Sequence, residues 1–243
     1  MSKAWRSLLW QIAGIAAAFI ILVLWLLNAD LSEVERQTLD PGAIWDYTVE
    51  HLKLTIISTV LVLVIAVPLG VLLTRPAVRK AAPAVTAVAN FGQAAPAVGV
   101  IVLLAFWLGY GPATAVVALV IYAILPVLSN TMIGLQQVDQ RLVEAGRGIG
   151  MTQLAVLFKV ELPLAVPVML SGVRTALVLL VGTATLATFI NGGGLGALIT
   201  TGVNLNLNVV LISGSLIVAL LALCVDWVGR VVEELARPKG LAA

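Results

Sequence analysis

Apolar residues run through this chain in long unbroken stretches, and polar ones gather in the short gaps between them. A helix needs about 20 apolar residues to cross roughly 30 Å of hydrocarbon. Six stretches meet or approach that length: 8–27, 52–74, 82–109, and then about 113–134, 163–189 and 208–228. None alternates with the two-residue period of a lipid-facing strand. The pattern therefore predicts an all-α polytopic membrane protein with about six transmembrane helices. The third stretch is the most broken, holding Asn90, Gly92, Gln93, Pro96 and Gly99; proline and glycine there can open the helix against protein or a wet cavity.

Composition agrees. Of 243 residues, 61% are hydrophobic and only 11% charged, and the mean hydropathy is +1.10. A soluble domain of this length needs more polar surface. The net charge of +2 is too small to suggest a nucleic-acid partner. The placement of charge says more. With the N-terminus inside, one side of the membrane receives Lys3, Arg6, Arg75, Arg79, Lys80, Arg141, Arg147, Lys159, Arg230, Arg237 and Lys239, which is 11 of the 14 basic residues. The first loop on the other side, residues 28–50, carries six acids. Basic loops stay in the cytoplasm, so both termini are expected there, and ordinary solvation and topology account for the acidic loop. The first stretch is too long for a signal-peptide core and lacks a convincing cleavage site, so it reads as an uncleaved anchor.

Several chemistries have no residues to support them. Cys224 stands alone, excluding an internal disulfide or a CxxC pair. His51, the single histidine, falls at a membrane boundary and reads as a wet interfacial side chain; no metal site is expected. There is no HExxH, no GxSxG and no P-loop, so the chain does not cradle ATP phosphates. The cluster NGGGLG at 191–196 lacks the GxGxxG spacing and reads as a tight outer turn allowing close backbone approach.

Residues 135–162 form the largest loop on the basic side. Asp139 is placed to cap one short helix, Gly146, Gly148 and Gly150 to turn the chain, and Thr152 to cap a second helix, QLAVLFKV. Pro163 then suits the first turn of the fifth span. The expected shape is a helix-turn-helix knuckle on the inner face. Its spacing, Glu144-Ala145-Gly146, three residues, Gly150, nine residues, then Val160-x-Leu162-Pro163, resembles the EAA signature of ABC importer permeases. The sequence departs from that signature at Gly146, which stands for alanine, and at Val160, which stands for isoleucine.

The resemblance extends over roughly 48–230, including HLKLTIISTVLVLVIAVPLGVLLTRP, YAILPVLSNTMIGLQQVD and LPLAVPVMLSGVRTALV. It is nearest to permease subunits of osmoprotectant importers that handle glycine betaine, choline or carnitine. It implies a type I ABC importer permease domain at 48–230, preceded by an anchor span and outer loop (1–47) and followed by a cytoplasmic tail (231–243). It also implies a bacterial inner-membrane location and three kinds of partner: a cytoplasmic ABC ATPase dimer that binds ATP-Mg, a second permease copy or homologue, and an extracytoplasmic substrate-binding protein. No cofactor is implied in this chain, whose own surface meets membrane lipid. Glu144, Ala145, Gly146, Gly150, Leu162 and Pro163 are the expected coupling residues.

Candidate pathway residues are Gln93 and Pro96, which match a Gln-x-x-Pro element of that family, with Tyr122, Asn130, Thr183, Thr185 and Thr188. Trp107 and Tyr110 fit an interfacial aromatic belt. Arg174 is the charge most clearly inside a span, about 16 Å beyond Pro163 along a helix, and is expected to pair with backbone carbonyls or a neighbouring subunit. No acid lies clearly within a span, which counts against an ion-coupled secondary carrier. The same architecture importing another small solute, such as an amino acid, is the closer alternative.

Overall fold

The computed structural model describes residues 3–236, so Arg237, Lys239 and the rest of the tail lie outside the described residues. The elements in chain order are α1 (Lys3–Leu27), α2 (Glu33–Thr38), α3 (Pro41–Leu73), α4 (Ala82–Ala94), α5 (Ala97–Leu108), α6 (Pro112–Gln136), α7 (Gln140–Gly148), α8 (Gln153–Val156), α9 (Leu162–Thr183), α10 (Gly196–Asn204) and α11 (Asn208–Ala236). A π turn at Leu157–Glu161 joins α8 to α9, and a 3-10 segment, Ala184–Ile190, prolongs α9.

Among the described residues five continuous helices are long and apolar enough to cross a membrane: α1, α3, α6, the composite Gln153–Ile190, and α11. The expected third span is broken. Its halves, Arg79–Ala94 and Ala97–Leu108, meet at 98°. The cause is Pro96, which has no N–H to continue the ladder and forces Ala95 into extended backbone, φ −63° and ψ 143°. Pro68, Pro126 and Pro167 stay inside α3, α6 and α9 without ending them.

Two boundaries differ from the sequence reading. Asp40 caps α3 by accepting hydrogen bonds from Gly42 N (2.9 Å) and Ala43 N (3.1 Å), so this span begins at Pro41 and not near residue 52. The second knuckle helix is not separate from the fifth span. Pro163 falls inside one long helix, and the π turn, in which Leu162 N–H bonds the Leu157 carbonyl, carries the helix past the missing donor.

The bundle is centred on α6. Leu119, Ala123 and Val127 of α6 meet Val62 and Ala66 of α3 and Ala176 and Leu180 of α9 in the main core. Lipid gives helices no hydrophobic incentive to associate, so close approach over small residues matters. At Gly172 of α9 an added methyl would sit 2.6 Å from the Pro126 carbonyl and 2.5 Å from Asn130 Cβ. Val210 and Val218 of α11 pack with Leu195, Leu198 and Val181 in a second cluster. The end of α3 carrying Arg75 and the 140–161 hairpin is the basic end of the bundle; α2 and the 191–196 turn mark the acidic end. Large apolar side chains such as Trp10, Ile21, Val64, Phe91 and Trp107 remain exposed, as lipid-facing or subunit-facing residues do.

Candidate coupling hairpin and transport groove

At the basic end the chain folds back on itself as the local chemistry dictates. The Asp139 carboxylate accepts from Arg141 N (2.9 Å) to start α7, and Thr152 Oγ1 accepts from Ala155 N (3.2 Å) to start α8. Between them Gly150 takes φ +85°, a conformation that costs L side chains about 1–2 kcal/mol. Gly146 is buried under α8, where a methyl would lie 3.3 Å from Met151 Sδ and 3.4 Å from Val156 Cγ2. Alanine, the residue of the EAA signature at this position, fits there with a slight shift of Met151.

Val143, Val156 and Ala165 pack with Leu135 and Val138 to fix the hairpin to the bundle, and Leu162 lies against the same cluster. Its outward surface is apolar: Ile149 is 80% exposed, Leu154 68% and Phe158 64%. Glu144, Ala145 and Pro163 are exposed as well, and the Glu144 carboxylate has no hydrogen bond or ion pair among the described residues.

A second fixing point joins distant parts of the sequence. Arg75, just past the end of α3, closes its guanidinium on Glu161 of the π turn, with Nη1–Oε1 at 3.2 Å and Nη2–Oε2 at 2.5 Å. Arg75 Nε also donates to the Val71 carbonyl (3.2 Å). Neither residue stood out in the sequence. The available signal was an acid inside the EAA-like motif with no role of its own.

Farther along α9 a groove of about 560 Å³ is lined by Gln93, Arg174, Thr175, Gly182, Thr183, Asp226 and Arg230. Within the chain Arg174 pairs with carboxylates of α11, Asp226 (3.7 Å) and Glu233 (3.6 Å), rather than with backbone carbonyls. Asp226 lies within the sixth apolar stretch, so an acid does occupy a span. Its charge is tolerated there because Gln11 Nε2 donates to it at 2.9 Å and Arg230 Nε lies at 3.3 Å.

At the acidic end a larger groove, about 930 Å³, is bordered by Tyr47, Glu50, Lys53, Pro112, Thr188 and Asn191. The 191–196 turn behaves as its glycines require. Gly193 and Gly194 have φ near +82° and +88°, and Gly194 N–H donates to Glu50 Oε2 at 2.9 Å. His51 is fully buried and not wet. Because α3 starts at Pro41, His51 sits inside the bundle, its Nε2 donating to the Val181 carbonyl at 2.9 Å. Its Nδ1 has no hydrogen-bond partner among the described residues. Among the described residues no three His, Cys, Asp or Glu side chains converge as a metal site.

Comparison with known proteins gives this architecture a family. Residues 66–238 match the model of the binding-protein-dependent transport system inner membrane component. The chain belongs to that family. The glycine betaine/carnitine/choline transport system permease protein OpuCB of Bacillus subtilis is 44% identical to this permease over 194 residues, 80% of this chain and 88% of the relative. The choline transport system permease protein OpuBB of the same organism is 42% identical over the same shares. The osmoprotectant import permease protein OsmY of Salmonella typhimurium is 42% identical over 184 residues, 74% of this chain and 78% of that one. A solved chain of the MetNI methionine ABC transporter, in an inward-facing conformation, superposes with a TM-score of 0.72 at 24% identity, covering 86% of this chain and all of that one; this likeness bears on the fold alone.

The permease is thus a multi-pass inner-membrane component of an ABC importer, and ATP is handled by a partner ATPase. Of the candidate pathway residues, Gln93 and Thr183 share the groove beside Arg174, with Pro96 at the neighbouring break. Thr188 faces the acidic-end groove. Tyr122, Asn130 and Thr185 line neither: Asn130 donates to the Pro126 carbonyl (2.8 Å) under Gly172, and Thr185 to the Gly182 carbonyl (2.7 Å).

Proposed function

We propose that this permease imports osmoprotectants of the glycine betaine, carnitine and choline class, with its termini and its α7–α8 hairpin in the cytoplasm. The observation that carries the substrate class is the 44% and 42% identity, over four-fifths of the chain, to permeases named for those solutes. Residues 48–230 act as the transport domain, 1–47 as an anchor span and outer loop, and 231–243 as a tail. Two permease chains, identical or homologous, enclose the path. An ATPase dimer receives the hairpins, and an extracytoplasmic binding protein delivers the solute.

Coupling follows from rigidity and exposure together. Ile149, Leu154 and Phe158 offer an apolar face for burial against the ATPase, and Glu144 offers an unpaired charge beside it. Gly146 and Gly150 set the shape of the hairpin. Because Gln153–Ile190 is a single helix, a push on the hairpin is transmitted directly into the wall of the groove. Leu162 and Pro163 stand at the point of transmission. Gln93 and Thr183 line the path, and the remaining candidates, Pro96, Tyr122, Asn130, Thr185 and Thr188, shape it through the helix break, the α6–α9 contact and the acidic-end groove.

The test is ATP-driven uptake of labelled glycine betaine and choline by cells carrying the complete importer, with and without Glu144→Arg and Gly150→Pro. Both substitutions are expected to abolish uptake while leaving the protein in the membrane. Undiminished uptake in both would overturn the coupling assignment, and uptake of an unrelated solute alone would overturn the substrate class.

A further inference from the structure

We propose that Arg174 is the carboxylate-binding residue of the transport groove, so that the permease favours quaternary amines bearing a carboxylate over quaternary-ammonium alcohols. The proposal rests on the substrate class proposed above. It begins from an arginine that the fold holds in place by ion pairs without a hydrogen bond among the described residues. Arg174 lies about 18 Å along α9 from Leu162, with its side chain only 24% exposed. Its ion pairs, at 3.7 and 3.6 Å, are both longer than a hydrogen bond. Among the described residues its guanidinium makes no hydrogen bond at all, although it carries five N–H donors in a planar fork. Arg75 in the same chain shows the structural use of this side chain, with its fork closed on one carboxylate and its Nε on a carbonyl.

The surroundings hold Arg174 in position with Asp226 at ion-pair distance from its Nη1 and Glu233 from its Nε, neither close enough for a hydrogen bond. Gly229 of α11 makes room for its stem: a methyl there would come 2.9 Å from Arg174 Cγ. Asp226 is held independently by Gln11 and Arg230, so its position does not depend on Arg174. The groove beside them, about 560 Å³, is also lined by Gln93 and Thr183.

A zwitterion satisfies this arrangement. Its carboxylate takes donors of Arg174 that make no hydrogen bond, in a bidentate pair that displaces Asp226, and its ammonium end turns toward Asp226, while Glu233 stays beside Nε. Each protein charge exchanges one partner, and the net charge of the groove is unchanged. A quaternary-ammonium alcohol satisfies only Asp226; it adds a positive charge beside Arg174 and gives the fork a hydroxyl in place of a carboxylate. A charge-assisted hydrogen bond is worth about 1.5–3 kcal/mol, which corresponds to discrimination of about tenfold or more.

The experiment uses the complete importer, with its ATPase and binding protein, in proteoliposomes containing ATP. Uptake of glycine betaine and of choline is measured for the wild type, Arg174→Gln and Arg174→Lys. The ratio of the two uptake efficiencies cancels the amount of folded carrier, and the binding protein is common to every arm. The ratio is expected to fall about tenfold in Arg174→Gln and by less in Arg174→Lys, which keeps the charge but loses the fork. An unchanged ratio, an equal loss of both solutes, or failure of both variants to assemble would show that Arg174 is structural and overturn the assignment. A wild type that moves neither solute would instead refute the substrate class on which the assignment stands.

Discussion

The contact between Arg75 and Glu161 is the clearest place to ask how the hairpin is held. The Arg75 side chain is 32% exposed and that of Glu161 only 10%, so the two partners do not respond equally to loss of the other. Glu161→Gln preserves shape and leaves a half-wet guanidinium that water can serve. Arg75→Gln leaves a nearly buried carboxylate with no cation, the costlier outcome. A charged hydrogen bond contributes about 1.5–3 kcal/mol, and breaking a fully buried pair costs about 3–5 kcal/mol. Partial exposure places Glu161→Gln near 2 kcal/mol and Arg75→Gln somewhat above it. Two kcal/mol amounts to roughly a 30-fold rise in local opening. The assay is hydrogen exchange on the assembled importer across residues 140–161, run as a double-mutant cycle with ATP-driven uptake measured in parallel. Each single variant should accelerate exchange in the hairpin and lower the solute moved per ATP, while the double variant should be no worse than Arg75→Gln alone. A coupling energy below about 0.5 kcal/mol, the usual limit of additivity between independent sites, would refute this account of the contact.

Gly150→Ala should cost about 1–2 kcal/mol of hairpin stability because its φ is +85°, whereas Gly148→Ala, with ordinary helical backbone and open space around it, should be neutral or slightly stabilising; thermal unfolding of the purified complex compares the two. His51→Leu nearly keeps the volume but leaves the Val181 carbonyl without its side-chain donor, and should cost about 1–3 kcal/mol in the same measurement. The backbone N–H of Ser32, and after it the Ser32 hydroxyl, hold the Glu35 carboxyl below the ordinary carboxylate value. The capping box of α2 therefore contributes stability above that ordinary value and loses it as pH falls through the lowered one. Exchange protection of residues 35–39, corrected for intrinsic rates, should show that acid step in the wild type and not in Glu35→Ala.

The membrane spans were legible because burial in lipid is written as continuous apolarity: the stretches 8–27, 113–134 and 208–228 lie within α1, α6 and α11. The caps at Asp139 and Thr152 and the turn at Gly150 were legible because their chemistry is local. What escaped was either polar at a helix end or paired across the chain. Residues 41–51 belong to α3, yet Trp45, Asp46, Tyr47 and Glu50 read as loop and His51 as a wet boundary residue, since nothing local reveals that His51 finds the Val181 carbonyl. Arg75 and Glu161 are 86 residues apart, and Gln11 and Asp226 are 215 apart; no window of sequence holds both members of either pair. Pro163 was read as a helix start because prolines usually mark one, but the π turn before it lets the helix continue. That continuity makes the second helix of the hairpin and the groove-lining segment one rod.

The central claim is that force reaches the spans from an ATPase through this hairpin. The most direct measurement is solute uptake into proteoliposomes in two arms: the complete importer with enclosed ATP, and the purified permease alone under a proton or sodium gradient. The account predicts accumulation of glycine betaine in the first arm and none in the second. Accumulation by the permease alone, driven by the ion gradient with no ATPase present, would contradict it.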